Sequence, residues 1–140
     1  MTHATGGCLC GAIRYELDAE PMFQVACHCR ACQYTSGGSP TLAMGAPAAG
    51  LKITSGEPRV FWAAGDSGAK VGRSFCETCG TPLFSWLESN AQMVVIKVGS
   101  LDDPSAFTVQ ADIWMGAAQP WHRPHEGAAR FEGNPGAGGG

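Results

Sequence analysis

Charge is scarce in this chain and nowhere concentrated. Only 15% of its 140 residues are charged, and the nine Lys and Arg are scattered singly, with a formal net charge of −3. Without a basic stripe there is no electrostatic footprint for a phosphate backbone, so no nucleic-acid partner is expected. Long apolar runs are missing too: no stretch approaches the roughly 20 residues that cross a bilayer, and no membrane partner is expected. The opening segment, Met1-Thr2-His3-Ala4-Thr5-Gly6-Gly7, has neither the basic start nor the apolar centre of a secretory leader. The expectation is therefore a soluble, cytoplasmic protein. An even cysteine count is also lacking. Seven cysteines do not fit a disulfide framework, and in a reducing compartment clustered thiols more often hold metal or do chemistry.

Twenty glycines and nine prolines are spread along the sequence, which breaks it into short extended segments and leaves few long helices. Period-two patterning marks candidate strands at 12–17, 23–26, 41–44, 51–54, 59–62, 82–86 and 92–98, and a last extended segment at 107–114. The β-branched residues Val94, Val95, Ile96 and Val98 make 92–98 the expected core strand. Residues 65–72 read as a polar, mobile loop, and His3 falls in an N-terminus expected to be mobile. One domain is expected over 1–132, followed by a Gly-rich disordered tail over 133–140.

The stretch Cys27-His28-Cys29-Arg30-Ala31-Cys32 places three thiols in six residues, spaced so that a tight turn can aim all three sulfurs at one point. Zinc prefers four ligands in a tetrahedron, so three thiolates leave one position open, the mark of a catalytic rather than a structural site. Cys8-Leu9-Cys10 and Cys76-Glu77-Thr78-Cys79 together supply a second, complete set of four. Glycines at 7, 11 and 80 flank these knuckles and let the backbone fold closely around an ion. For the four, the plainer reading is free thiols or disulfides. For the three, it is a second structural zinc closed by His122 or His125, His28 pointing away from the metal. His3, His122 and His125 otherwise read as surface residues, and Trp62, Trp86, Trp114 and Trp121 as core or sheet-face residues.

With these cysteines in place, the sequence resembles the glutathione-dependent formaldehyde-activating (Gfa/CENP-V domain) family from Gly7 to about Phe131. The resemblance is carried by Gly7-Cys8-Leu9-Cys10-Gly11, by Cys27 to Cys32, by Arg73-Ser74-Phe75-Cys76-Glu77-Thr78-Cys79-Gly80-Thr81-Pro82-Leu83 and by Val98-Gly99-Ser100-Leu101-Asp102-Asp103-Pro104. It implies a mainly β, Mss4-like fold of small antiparallel sheets with two zinc ions per chain. By motif match, Cys8, Cys10, Cys76 and Cys79 take the structural ion and Cys27, Cys29 and Cys32 the catalytic one. The implied reaction joins glutathione to formaldehyde, a carbon–sulfur lyase when written in reverse, so the implied partners are a small thiol and an aldehyde. One position departs from the family pattern: many members carry His-Ile before an aromatic where this chain has Asp112-Ile113-Trp114.

Three thiolates on Zn2+ sum to a charge of −1, so such an ion is a weak Lewis acid toward water but well suited to a thiol, whose proton it displaces. No protein nucleophile is then required. Arg14, Arg30 and Arg73 are candidates for the carboxylates of a glutathione-like ligand, and Arg30 is preferred because it lies inside the cluster. The alternative from another class is a non-catalytic binding module stabilised by two structural zincs. A methionine sulfoxide reductase would need a reactive cysteine outside the two sets, and none is left over. Monomer and homodimer are both compatible with the sequence.

Overall fold

A computed structural model describes residues 3–65 and 67–135. In chain order its elements are β1 (Ala4–Gly7), β2 (Arg14–Leu17), β3 (Phe23–Cys27), α1 (Arg30–Thr35), β4 (Thr41–Pro47), β5 (Leu51–Ser55), β6 (Arg59–Ala64), β7 (Lys70–Phe75), β8 (Pro82–Leu87), β9 (Asn90–Lys97), β10 (Ala111–Ile113) and β11 (Ala129–Arg130), with single 3-10 turns at 48–50, 98–100 and 115–117. The fold is mainly β with little helix. Among the described residues no helix is long and apolar enough to cross a membrane. The chain forms two compact units, one from residues 1–22 and 44–106 and the other from 23–43 and 107–140.

The first unit is antiparallel, as expected. β1, β2 and β5 form one small sheet, and β6 to β9 form a meander. Its core is Tyr15, Leu17, Leu83, Phe84, Val94 and Ile96, all nearly or fully buried. Each such aliphatic side chain contributes roughly 1.5–3 kcal/mol on leaving water. Val94 and Ile96 alternate with less buried neighbours along β9, as the period-two pattern predicts. The Tyr15 ring meets Phe84 edge-on at 4.9 Å, and its hydroxyl is 2.7 Å from Ser100 Oγ. Trp62 lies flat over β7, where a Cβ at Gly72 would stand 2.8 Å from its ring. The loop expected at 65–72 is tighter than anticipated, because Gly65 N donates to Ala69 O and β7 has begun by Lys70.

The N-terminus is held in place as well. β1 pairs with β2 from Ala4↔Leu17 to Gly7↔Arg14, and His3 Nδ1 is 2.5 Å from Asp18 Oδ1. No strand was expected at 4–7, and its glycine at position 6 is demanded by close approach: a Cβ at Gly6 would fall 2.4 Å from Ser100 O and from the Tyr15 hydroxyl. Asp102 ties this sheet to the turn after β9. Its carboxylate accepts both Arg14 terminal nitrogens and, at 2.6 Å, the Thr5 hydroxyl. Arg14, and then Thr5, hold the Asp102 carboxyl down at about 2.

The second unit corrects the antiparallel expectation. β10 pairs in parallel with both β3 and β11. Parallel strands need a crossover, and here the connection from β3 to β10 carries residues 44–106 of the first unit. The last extended segment is also shorter than predicted. Backbone bonding reaches back to Gln110, whose N donates to Gln24 O, and before it side chains take over, with Gln24 N donating to Gln110 Oε1 and Thr108 N to Gln24 Oε1. Gly133 O accepts from Trp114 N and Asn134 Oδ1 from Trp114 Nε1, while 136–140, the rest of the expected tail, lie outside the described residues.

Two outcomes test this account. Gly6→Ala should destabilise the chain by about 1–3 kcal/mol in urea unfolding, because the added methyl meets backbone and a buried ring; wild-type stability would mean that β1 is not seated. Asp102 has a depressed folded pKa, so its contribution is complete above the unfolded value near 4 and is lost as pH falls toward about 2. The stability gap between wild type and Asp102→Asn should therefore be constant above pH ~5 and narrow on acidification below ~4, modestly, since both partners are partly solvated.

Candidate functional site

None of the seven cysteines is in a disulfide, and they gather as two groups. In the first unit, the β1–β2 connection brings Cys8 and Cys10 to Cys76 and Cys79 of the β7–β8 connection, all four sulfurs within 4.8 Å of one another. The two knuckles are built alike. Cys8 N donates to Ile13 O, and Cys76 N to Thr81 O. Gly11 and Gly80 then turn the chain at φ +81° and +79°, a region that costs glycine little. Ile13 N donates to Cys8 Sγ at 3.2 Å and Cys79 N to Cys76 Sγ at 3.5 Å, so the sulfurs sit inside cages of backbone donors.

The donor set fits a tetrahedral ion. Ligands at about 2.3 Å from a common centre stand about 3.8 Å apart, and Cys8 and Cys10 are separated by 3.6 Å, Cys10 and Cys76 by 3.8 Å. These distances are far beyond the roughly 2.05 Å of a disulfide. Thr81, through its hydroxyl first and its backbone next, holds the Cys79 thiol down at about 5. A thiol so placed is a ready thiolate ligand.

In the second unit, β3 delivers Cys27, Cys29 caps α1, and Cys32 lies in its first turn, where Cys32 N donates to Cys29 Sγ at 3.3 Å. The six-residue helix is a finding that the sequence reading did not include; a cysteine in the cap position does here what serine does elsewhere. The three sulfurs lie within 4.8 Å of one another, and among the described residues no histidine nitrogen or carboxylate joins the group. Neither His122 nor His125 therefore closes it. Cys29 and Cys32, and after them burial, push the Cys27 thiol far above its ordinary value. Three thiolates this close repel one another unless a cation stands among them, so this set also fits a soft divalent ion.

Arg30 follows Cys29 directly. Its Nη1 donates to Gln33 Oε1 at 2.5 Å, and its guanidinium lies 4.8 Å from the Tyr34 ring centre. Arg14, by contrast, is spent on Asp102, and Arg73 stands in β7. Of the tryptophans, Trp86 donates to Ser74 Oγ on the sheet, while Trp121 is 64% exposed and donates to Gly38 O.

Behind the three sulfurs is a polar core that the sequence reading missed. His28 does point away from the cysteines, but into the interior, where it is fully buried beside the fully buried Asp112. His28 Nε2 donates to Asp112 Oδ1 at 2.8 Å. The same carboxylate accepts His125 N at 2.6 Å and His125 Nδ1 at 2.9 Å. His122 is buried as well, not a surface residue: its Nε2 donates to Gly38 O, and its Nδ1 accepts from Gln119 N and faces His28 Nδ1 at 3.0 Å. Burial acts to raise the Asp112 carboxyl, and the His28 and His125 donors outweigh it, holding the group below the usual carboxylate range. Trp114 adopts φ 58°, uncommon for a bulky residue, as the chain leaves β10. The signal for this core was present: a lone acid in the apolar run Ala111-Asp112-Ile113-Trp114, and a histidine between two cysteines that must face the opposite side of the strand.

The family model described as "Glutathione-dependent formaldehyde-activating enzyme" matches residues 3–117. The chain belongs to that family. Its family name concerns an aldehyde, formaldehyde, and a thiol, glutathione, and both cysteine groups lie in or beside the motifs that carried the resemblance. No curated protein matches the chain. The crystal structure of a Rhodobacter sphaeroides protein is similar, with a TM-score of 0.56 and 24% identity over 73% of this chain and 93% of that one. At that identity the likeness concerns the fold alone.

If the four-sulfur group holds a structural ion, Cys76→Ser should leave the chain without a cooperative thermal transition, and a strong chelator should do the same to the wild type, since structural zinc contributes on the order of 10 kcal/mol to folding. Circular dichroism during chelation reads this directly. A Cys76→Ser chain that melts like the wild type would rule out the structural role.

Proposed function

We propose that this chain is a zinc-dependent enzyme that joins a small thiol, glutathione or a similar compound, to an aldehyde, a carbon–sulfur lyase in the reverse direction. The carrying observation is the difference between the two groups: four sulfurs complete a tetrahedron, whereas Cys27, Cys29 and Cys32 leave one position for a ligand from outside. In this reading Cys8, Cys10, Cys76 and Cys79 hold a structural zinc, the fold is Mss4-like, and the protein works in a reducing cytoplasm where its thiols persist.

A zinc ion in the three-thiolate set would supply acidification of an incoming thiol, which free in water has a pKa of about 8.5 and is mostly protonated at pH 7. The chain's own residues do the rest. Cys27, Cys29 and Cys32 set the site and take no covalent part. Arg30, held toward Gln33 and Tyr34, is the candidate anchor for a substrate carboxylate. Holding thiol and aldehyde together replaces a bimolecular encounter with a local one. The reaction balances without a redox partner: the sulfur–carbon bond forms, the carbonyl π bond breaks, and the thiol's proton ends on the former carbonyl oxygen.

The decisive measurement is zinc per chain, with metal-edge X-ray absorption to count sulfur ligands, with and without glutathione. Two zincs, one gaining a fourth sulfur only when the thiol is present, is the expected result. Cys27→Ser, Cys29→Ser and Cys32→Ser should each abolish formation of the hydroxymethyl thioether while leaving the far-ultraviolet circular dichroism unchanged. Two zincs indifferent to any thiol would instead favour a binding module with two structural ions, and full activity in a folded variant with one zinc would end the proposal.

A further inference from the structure

Asp112 is an unexpected residue at its position. It sits mid-strand in β10 with no exposure to solvent, between Ala111 and Ile113, and its strand partner is Ala26 of β3, one residue before the cysteine stretch begins. A desolvated carboxylate is costly, and an apolar side chain would pack there without that cost. This one instead accepts three hydrogen bonds, from His28 Nε2, His125 N and His125 Nδ1.

Those bonds converge on one residue of the metal loop. His28 lies between Cys27 and Cys29, and three of its four polar groups are held: N donates to Ile113 O, O accepts Gln33 Nε2 and Nε2 donates to Asp112, while Nδ1 lies 3.0 Å from His122 Nδ1. Gln33 in turn donates to Ala117 O and accepts from Gln119 Nε2 and Arg30. Once the His28 ring and backbone are fixed, the Cα positions of Cys27 and Cys29 are fixed with them. In the four-sulfur group the equivalent work is done by backbone donors to sulfur and by two turn glycines.

We infer that Asp112 is a positioning residue which, through His28, preorganises Cys27, Cys29 and Cys32 for a divalent metal. The inference rests on the reading that these three sulfurs hold an ion, and not on what that ion then does. It gives the departure at Asp112 a different meaning from altered substrate contact, because a fully buried carboxylate cannot touch substrate. Outer partners of this kind are generally worth 10–100-fold in metal affinity, and fixing the ligands beforehand is the physical source of such a gain.

The test is a chelator competition on the full chain loaded with zinc, repeated with cobalt, whose d–d bands report ligand geometry. Asp112→Asn keeps the shape and replaces one acceptor oxygen with an amide that can only donate. The expected result is release of one of the two metals at roughly 10–100-fold lower chelator, with altered cobalt bands at that site and unchanged retention at the four-sulfur group. His125→Ala removes one donor from the same carboxylate at a side chain that is 40% exposed; it should shift the same metal by a smaller factor, and it decides the matter alone if Asp112→Asn does not fold. A folded Asp112→Asn chain with both retentions unchanged overturns the inference, as does an equal loss at both groups, which marks general destabilisation. A wild-type chain that never holds a metal at the three sulfurs overturns this inference and the proposed function together, whereas two metals that ignore glutathione sink thiol activation and leave the positioning role standing.

Discussion

Thiolates repel one another, and the arrangement of this chain follows from where it accepts that repulsion. Four sulfurs from connections some 65 residues apart in sequence meet within 4.8 Å, as do three more from a six-residue stretch. Neither gathering is favourable among charged groups alone. Each becomes favourable when a divalent cation cancels the charge, and then the same crowding turns into cross-linking. For a first unit of short strands and exposed edges, joining the β1–β2 and β7–β8 connections closes a long loop at one point, which is where such a staple does most.

The two groups solve the placement of sulfur by different means. The knuckles use the backbone: donors directed at Cys8 and Cys76, positive-φ glycines at 11 and 80, and Thr81, which serves both knuckles by accepting Leu9 N and bonding Cys79 Sγ. The three-sulfur loop uses a helix cap at Cys29 and a buried polar core at His28, Asp112 and Gln33. Such a core contributes uncertain net stability, because desolvation offsets much of what the bonds return. Its worth lies in fixing one geometry, which matters more where only three ligands come from the protein than where four define the tetrahedron themselves.

Much of this was legible in the residues, and the gaps have physical causes. Spacing alone sorted the seven cysteines, because C-x-C and C-x-x-C leave thiols few places to go. Period two located most strands, and the β-branched run at 94–96 marked the strand that carries Val94 and Ile96. Ala4–Gly7 escaped because two glycines speak for a loop unless one knows what presses against them, here Ser100 and Tyr15. The parallel pairing of β3 with β10 could not be read from local pattern, since more than eighty residues, 28–110, separate the two strands. The polarity of their neighbours makes His122 and His125 read as surface residues, but distant partners decide their setting: Gly38 and His28 bury His122, and Asp112 holds the part-exposed His125.

The family resemblance and the physical reading bear on Asp112 in opposite ways, and the physics is the stricter of the two. Resemblance marks the residue only as a departure where a histidine is common, which invites a difference in substrate. Burial argues against that: with no exposure and three donors already on its two oxygens, the carboxylate lacks the access to meet a ligand. What it can do is hold the histidine between two cysteines. A change of residue at a site thus need not mean a change of substrate; here it sits one layer behind the sulfurs, where it can alter how firmly they are held without altering what they meet.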